Sequence, residues 1–335
     1  MKNFLNTRYF YMYAFSGLII FSCNNEKKIS KNDGAKNDTV AQKTETYKQV
    51  SPNFNADSAY YFVQKQCDFG PRVTNSVEAK KCGDWLVSEL KKYTDNVIEQ
   101  KGIKTNWDGK DLRIRNIIAE INPKASTRVL LCSHWDSRPV ADKDNVDPDK
   151  PILGANDGAS GVGVLLEIAK VLKANPVNIG VDIILFDAED LGRSEYRSSY
   201  CLGTQYWTQH LHHPNYTAQF GILLDMVGGK NATFAWEENS VRFARPFVEK
   251  IWGVAQNLGY DKFFVYVQNG GIEDDHFYIN KDAKIPTVDI IQYDANTSSS
   301  FPEHHHTHRD NMNVIDSKTL KAVGQTLLEL LYMQK

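Results

Sequence analysis

Residues 155–190 read ANDGASGVGVLLEIAKVLKANPVNIGVDIILFDAED. In the first half, Val162, Leu165, Leu166, Ala169 and Leu172 recur at spacings of three and four, an apolar stripe along one helix face, with Asp157 just ahead of the first turn. In the second half, residues 181–187 form a short apolar run rich in β-branched residues, as a buried strand does. The same alternation continues on both sides, with further strand candidates at 116–121, 128–134, 220–227 and 287–292 and helical candidates between them. A final helix is expected after Asp316, with Leu320, Val323, Leu327 and Leu330 facing the core. From about residue 51 onward this predicts a single α/β domain whose central, mixed, mostly parallel twisted sheet is flanked by helices. No internal repeat is present.

The whole chain has 335 residues, with 39 Lys and Arg against 41 Asp and Glu, 41% hydrophobic and 24% charged. A net charge of −2 without a long basic block leaves no electrostatic footprint for nucleic acid. No apolar run approaches the roughly 20 residues of a membrane span. Sixteen Phe and 16 Tyr suffice for one sizeable core.

The first 22 residues join a basic start, Lys2 and Arg8, to an uncharged stretch from Tyr9 to Ser22, the layout of a secretory signal. Cys23 follows Ile20-Phe21-Ser22, which resembles the bacterial lipoprotein processing site, where the Cys is lipidated. The plainer reading is a signal peptide with an incidental Cys. Removing residues 1–22 takes away Lys2 and Arg8, so −2 − 2 gives a mature charge of −4. From 23 to about 50 the chain is mostly polar and reads as a flexible tether. The expectation is an exported protein, lipid-anchored to a bacterial membrane on its periplasmic or cell-surface side. Four cysteines remain, Cys67, Cys82, Cys132 and Cys201. They read either as disulfides of an oxidising compartment or as buried free thiols.

Open α/β sheets place ligand sites outside the carboxyl ends of their strands, and here those ends carry acids and histidine. RVLLCSHWDSRP runs into His134, Trp135 and Asp136; VDIILFDAED ends in Asp187, Ala188, Glu189 and Asp190; FGILLDMVGG carries Asp225. Two further clusters are Glu273-Asp274-Asp275-His276 and the run His304-His305-His306-Thr307-His308. Singly, each has a plain explanation. Asp157 in Asn-Asp-Gly suits a turn or helix N-cap, His134 and Asp136 a capped strand end, and the His run a solvated loop. Together they differ: burying several unpaired acids at one sheet end costs several kcal/mol, on the order of ion desolvation, and a divalent cation removes that cost. Carboxylates and imidazoles without thiolate suit zinc in an open catalytic site. In Glu189-Asp190, neighbouring side chains point apart, so one can bind metal while the other stays free as a base.

The ordered motifs HWDS, ANDGASG, DAED, LDMVG, EDDHF and FPEHHHT resemble the zinc-dependent glutaminyl cyclases (glutaminyl-peptide cyclotransferases) of animal type and their bacterial relatives, a family related to the bacterial zinc aminopeptidases. The likeness runs from about Phe69-Gly70-Pro71-Arg72 to the last helix. It implies a zinc aminopeptidase-like fold and one zinc per chain, held by Asp157, Asp190 and His306 with a fourth position open. It further implies Glu189 as general acid/base, and Asp225 and Asp274 as acids that hydrogen-bond each other and the leaving amide. Trp135 and His305 would line the substrate pocket, though a Trp beside a strand end also suits simple packing. The implied activity is that of an acyltransferase converting the N-terminal Gln of peptides or proteins to pyroglutamate with loss of ammonia. There are departures. Residue 190 is Asp where animal cyclases have Glu, His305 stands where they have Trp, and Asp289 where they have a supporting His.

Two other functions fit the same residues. In a zinc aminopeptidase, His134, Asp157, Asp190, Asp225 and His306 would hold one or two ions, the second near His134 and Asp136, and Glu189 would activate a water. A non-catalytic, lipid-anchored binding module could keep such a fold. The stretch GASGVG lacks the glycine spacing of a dinucleotide fingerprint or a nucleophile elbow, and no P-loop is present.

Overall fold

The computed structural model describes residues 47–334. Eight strands form one sheet: β1 (Val97–Thr105), β2 (Asp111–Ile121), β3 (Arg128–His134), β4 (Gly180–Phe186), β5 (Phe220–Asp225), β6 (Thr233–Trp236), β7 (Phe264–Gln268) and β8 (Thr287–Tyr293). Their order across the sheet is β1-β2-β4-β3-β5-β8-β6-β7. The central β4-β3-β5-β8 block is parallel, β1-β2, β2-β4 and β8-β6 pair antiparallel, and β6-β7 is parallel again. The mixed, centrally parallel sheet is the expected one.

Alternate residues of the central strands serve two cores, as a two-residue side-chain period requires. Val129, Leu131, Ile183, Leu185, Ile222 and Leu224 join the larger core. That core also holds residues of α1 (Ala56–Cys67), α2 (Val77–Leu90), α3 (Ala159–Ala174), α5 (Glu238–Asn257) and α7 (Ser317–Tyr332). Leu130, Cys132, Ile184, Phe186 and Leu223 face the other way, toward Trp207 of α4 (Leu202–Gln209) and Ile279, which follows α6 (Asp275–Tyr278). The helix α3 is buried nearly all round rather than along one stripe, because α1 and α7 pack on it as well as the sheet. Gly161 lets it approach β5: a Cβ there would stand 2.5 Å from the Leu224 carbonyl and 2.3 Å from Ser133 Oγ. The final helix starts as predicted, with Asp316 accepting from the Lys318 amide.

Among the described residues Cys67, Cys82, Cys132 and Cys201 are buried free thiols, the second of the two readings. Residues 1–46, including the proposed signal and Cys23, lie outside the described residues. Within the stretch read as tether, Glu329 accepts from Tyr47 Oη at 2.7 Å and from the Val50 amide at 2.9 Å, so residues 47–50 are fastened to α7. Among the described residues no helix is long and apolar enough to cross a membrane.

Candidate metal and catalytic site

The carboxyl ends of β3, β4 and β5 and the loop before α3 bring the acids together. Asp157 does not cap α3. The cap position is Gly158, at φ +100°, without a side-chain bond. Instead Asp310 accepts the Asn156 and Asp157 amides at 2.7 and 3.0 Å, which turns the Asp157 carboxylate into the site.

Each Asp157 oxygen faces a different imidazole. Oδ1 stands 3.2 Å from His134 Nε2, and Oδ2 stands 3.7 Å from His306 Nε2 and 3.9 Å from His305 Nε2. His306 Nε2 is also 3.3 Å from Asp190 Oδ1, so the three residues expected around zinc meet at one imidazole nitrogen. Asp190 Oδ1 accepts from Arg138 at 2.8 Å, while Oδ2 is buried without a partner among the described residues. Carboxylates, an imidazole and an orphaned carboxylate oxygen fit a zinc ion. On the other side, His134 Nε2 lies 3.3 Å from Asp225 Oδ1, and ligand atoms of His134, Asp157 and Asp225 all lie within 4.8 Å of one another.

Asp136 is engaged elsewhere than as a free ligand. Its oxygens accept the amides of Glu189 at 3.1 Å and Asp190 at 3.2 Å, and it faces His134 Nδ1 at 3.4 Å. Glu189 follows Ala188, a left-handed residue at φ +57°; Met226, after Asp225, and His306 are left-handed too, at +49° and +59°. Cys201 Sγ lies 3.3 Å from Glu189 Oε1, and single atoms of Glu189, Cys201 and Asp274 lie within 4.8 Å of one another.

Burial raises the Glu189 carboxyl well above the ordinary range; His134 pulls it down, Asp190, Asp274 and Asp275 push it up. Burial, then the charge of Asp225, lifts Asp274 to about 7. Asp225 is lifted to about 6 by burial, with His134 opposing and Asp157 adding to the rise. Burial also acts to raise Asp157, but His134, His306 and His305 outweigh it and hold that carboxyl low. The pair expected to bond each other, Asp225 and Asp274, makes no hydrogen bond to each other among the described residues; the Asp225 charge instead raises Asp274. Each has another contact: Asp225 faces His134, and Asp274 Oδ1 accepts the Asp275 amide at 2.5 Å while its Oδ2 is buried without a partner among the described residues.

Asp157, Glu189, Asp190, Asp225, Asp274 and His306 line a cavity of about 430 Å³ together with Tyr200, Ile272, Ile291, Phe301 and His305. His305 lies against His306, centroids 3.7 Å apart, and against Phe301 at 4.3 Å. Trp135 lines none of this. Just past the end of β3, its indole donates to the Arg115 carbonyl at 3.2 Å, and it belongs to a separate groove with Val77 and Arg115. The sequence reading missed Arg138, which bridges Asp190 and Asp142 while almost fully buried, and Asp310. An Arg four residues past a strand end carries no signal of burial, and Asp310 is one acid in a polar run.

The profile of Peptidase family M28 matches residues 116–331, from within β2 to within α7. A solved structure of a Zn-dependent exopeptidase from Parabacteroides distasonis is 51% identical with a TM-score of 0.83, covering 85% of this chain and 100% of that one. A Tannerella forsythia glutaminyl cyclase is 47% identical with a TM-score of 0.83, over 85% and 100%. Among curated relatives, Aminopeptidase YwaD of Bacillus subtilis is 27% identical over 65% of this chain and 44% of its own length. The glutaminyl-peptide cyclotransferase of Bos taurus is 28% identical over 63% and 64%. The chain therefore spans less than two thirds of the length of these curated relatives. The profile covers more than half of the chain, and both solved structures are matched over their whole length: the chain belongs to peptidase family M28.

Proposed function

We propose that the protein is a zinc-dependent glutaminyl-peptide cyclotransferase, an acyltransferase acting on peptides or proteins that begin with Gln. The observation that carries the reading is Asp274. It places a second buried carboxyl within 4.8 Å of Glu189, with one oxygen unpartnered, where a leaving amide needs an acceptor. Similarity to the Tannerella forsythia and Bos taurus cyclases supports it.

Asp157, Asp190 and His306 would hold the zinc. When bound, the ion supplies a Lewis acid that polarises the γ-carbonyl of the substrate. The substrate's own α-amine attacks its γ-amide carbon, so proximity is largely built into the substrate. Glu189 takes a proton from the attacking amine and delivers it to the departing nitrogen, which leaves as ammonia; its raised pKa suits both transfers. Asp274 and Asp225 accept the N–H groups of that amide. The C–N bond to the amide nitrogen breaks as the ring C–N bond forms, and no water is consumed. Ile272, Ile291 and Phe301 supply apolar wall that excludes bulk water.

One observation favours a second reading, a two-metal aminopeptidase: the His134, Asp157 and Asp225 atoms within 4.8 Å of one another. A Gln-initiated peptide separates the two. The cyclase releases ammonia and leaves a blocked N-terminus, activity is lost with chelator and restored by zinc, and zinc content is near one per chain. Release of the first amino acid with about two ions per chain refutes the cyclase. Lipid anchoring at Cys23 is a further proposal; a Cys23→Ser protein that stays membrane-bound refutes it.

A further inference from the structure

Behind Asp274 lies a group of buried ionisable side chains that this chemistry leaves unused. Glu237, just before α5, is buried, as are His276 on α6 and Asp289 on β8. Glu237 Oε1 accepts the amides of Asn239 and Ile272, both at 2.9 Å. Its Oε2 accepts the Ser240 amide at 2.6 Å and meets His276 Nε2 at 3.0 Å. The two α5 amides are ordinary helix capping. The other two contacts lie outside α5. Ile272 and His276 stand two residues before and two after Asp274, so one carboxylate grips both sides of the segment that carries the pocket acid. His276 Nδ1 faces Asp289 Oδ2 at 3.5 Å, and the Asp289 amide donates to Ser240 Oγ at 2.9 Å, closing a ring through α5, α6 and β8.

A helix cap alone does not call for a buried charge. Burying a carboxylate costs several kcal/mol, on the order of ion desolvation, unless its oxygens are fully bonded, and capping is served equally well at a surface. Here burial works to raise Glu237, but His276 and the amides outweigh it and bring the group to about 2. The Asp274 side chain has little of its own to fix it, since among the described residues only the adjacent Asp275 amide binds it.

We infer that Glu237 and His276 are positioning residues for the cyclisation, holding the 272–276 segment so that Asp274 stands against Glu189. The inference rests on the function proposed above. Glu237→Gln keeps the shape and removes the charge, whereas His276→Gln cuts one arm and leaves the α5 cap whole. On a Gln-initiated peptide each is expected to lower kcat about 10- to 100-fold, with KM within about threefold and zinc content unchanged. In an Asp274→Asn background the same substitutions are expected to lower kcat no further, because residues acting through one another are not additive. Losses that multiply in full, or that track melting temperature in both backgrounds, overturn the inference. If Glu237→Gln does not fold, His276→Gln carries the cycle. Amide exchange reads the same arrangement without turnover: both variants should speed exchange at Ile272 and Asp275, and unchanged rates overturn the inference. Wild-type protein that releases no ammonia refutes the cyclase reading instead, and amide exchange still decides whether the pair holds the segment.

Discussion

Asp136 offers a sharp test of how the site is held. Its fully buried carboxylate accepts the amides of Glu189 and Asp190 at 3.1 and 3.2 Å, so a single side chain sets the backbone of both the proposed base and a proposed zinc ligand. Asp136→Asn keeps the volume but offers one acceptor oxygen; its NH2 then confronts one of the two amide N–H groups. A hydrogen bond to a charged group is worth about 1.5–3 kcal/mol, and a buried donor left unpaired costs about 1–3 kcal/mol. Counting the overlap between the two, stability should fall by about 2–4 kcal/mol. Displacing a reacting group by about 1 Å costs roughly a hundredfold in rate, so a smaller shift of Glu189 should lower kcat/KM by about 10- to 100-fold. Urea unfolding and ammonia release from a Gln-initiated peptide measure the two effects. An Asn variant with the wild-type unfolding midpoint and wild-type turnover would refute the reasoning.

Glu189→Gln should abolish turnover and keep zinc, whereas Asp157→Ala or His306→Ala should lose the metal, read by elemental analysis; turnover retained in Glu189→Gln overturns the assignment. Chelation should lower the melting temperature as well as activity, because an ion bound only by the folded state stabilises it, and zinc should restore both. Gly161→Ala should destabilise by about 1–3 kcal/mol, seen as a lower urea midpoint, since its Cβ would meet the Leu224 carbonyl at 2.5 Å. Burial is the main cause that lowers the His212 pKa to about 4, with His213 and Arg128 assisting and Asp182 opposing. The unfolded chain then binds a proton that the folded one does not, so stability should decline as pH falls from about 6.5 toward 4, by at most about 3 kcal/mol. In His212→Phe this component of the slope should vanish; an unchanged slope contradicts the account.

The five strands visible in the sequence are those whose faces are both covered. The 128–134 run is β3 to the residue, and 181–187, 220–227 and 287–292 differ from β4, β5 and β8 by one or two positions at an end. Strand β2 starts five residues earlier than read, where Asp111, Arg113 and Arg115 interrupt the apolar pattern. The outer strands were not legible. β1 has no fully buried residue and carries Lys and Glu, and β7 has mostly exposed residues, so neither presents a continuous apolar run. The acids of the site were legible because each closes an apolar strand or precedes a helix. Asp136, Arg138 and Asp310 act through backbone amides or a second acid, and such partners are set by tertiary placement, which one sequence does not display.

Ala188, Met226 and His306 all adopt a backbone shape natural to glycine, and each borders or belongs to the site. A side chain there costs about 1–2 kcal/mol per residue. Glycine would relieve that cost and free the turn at Ala188, whose side chain is a single methyl, so variants selected only for heat resistance should gain there while the catalyst becomes looser; at Met226 the lost buried side chain, and at His306 the lost proposed metal ligand, would outweigh the gain. The enzyme is thus expected to sit below the robustness its own architecture permits, and the shortfall is concentrated where the chemistry is done.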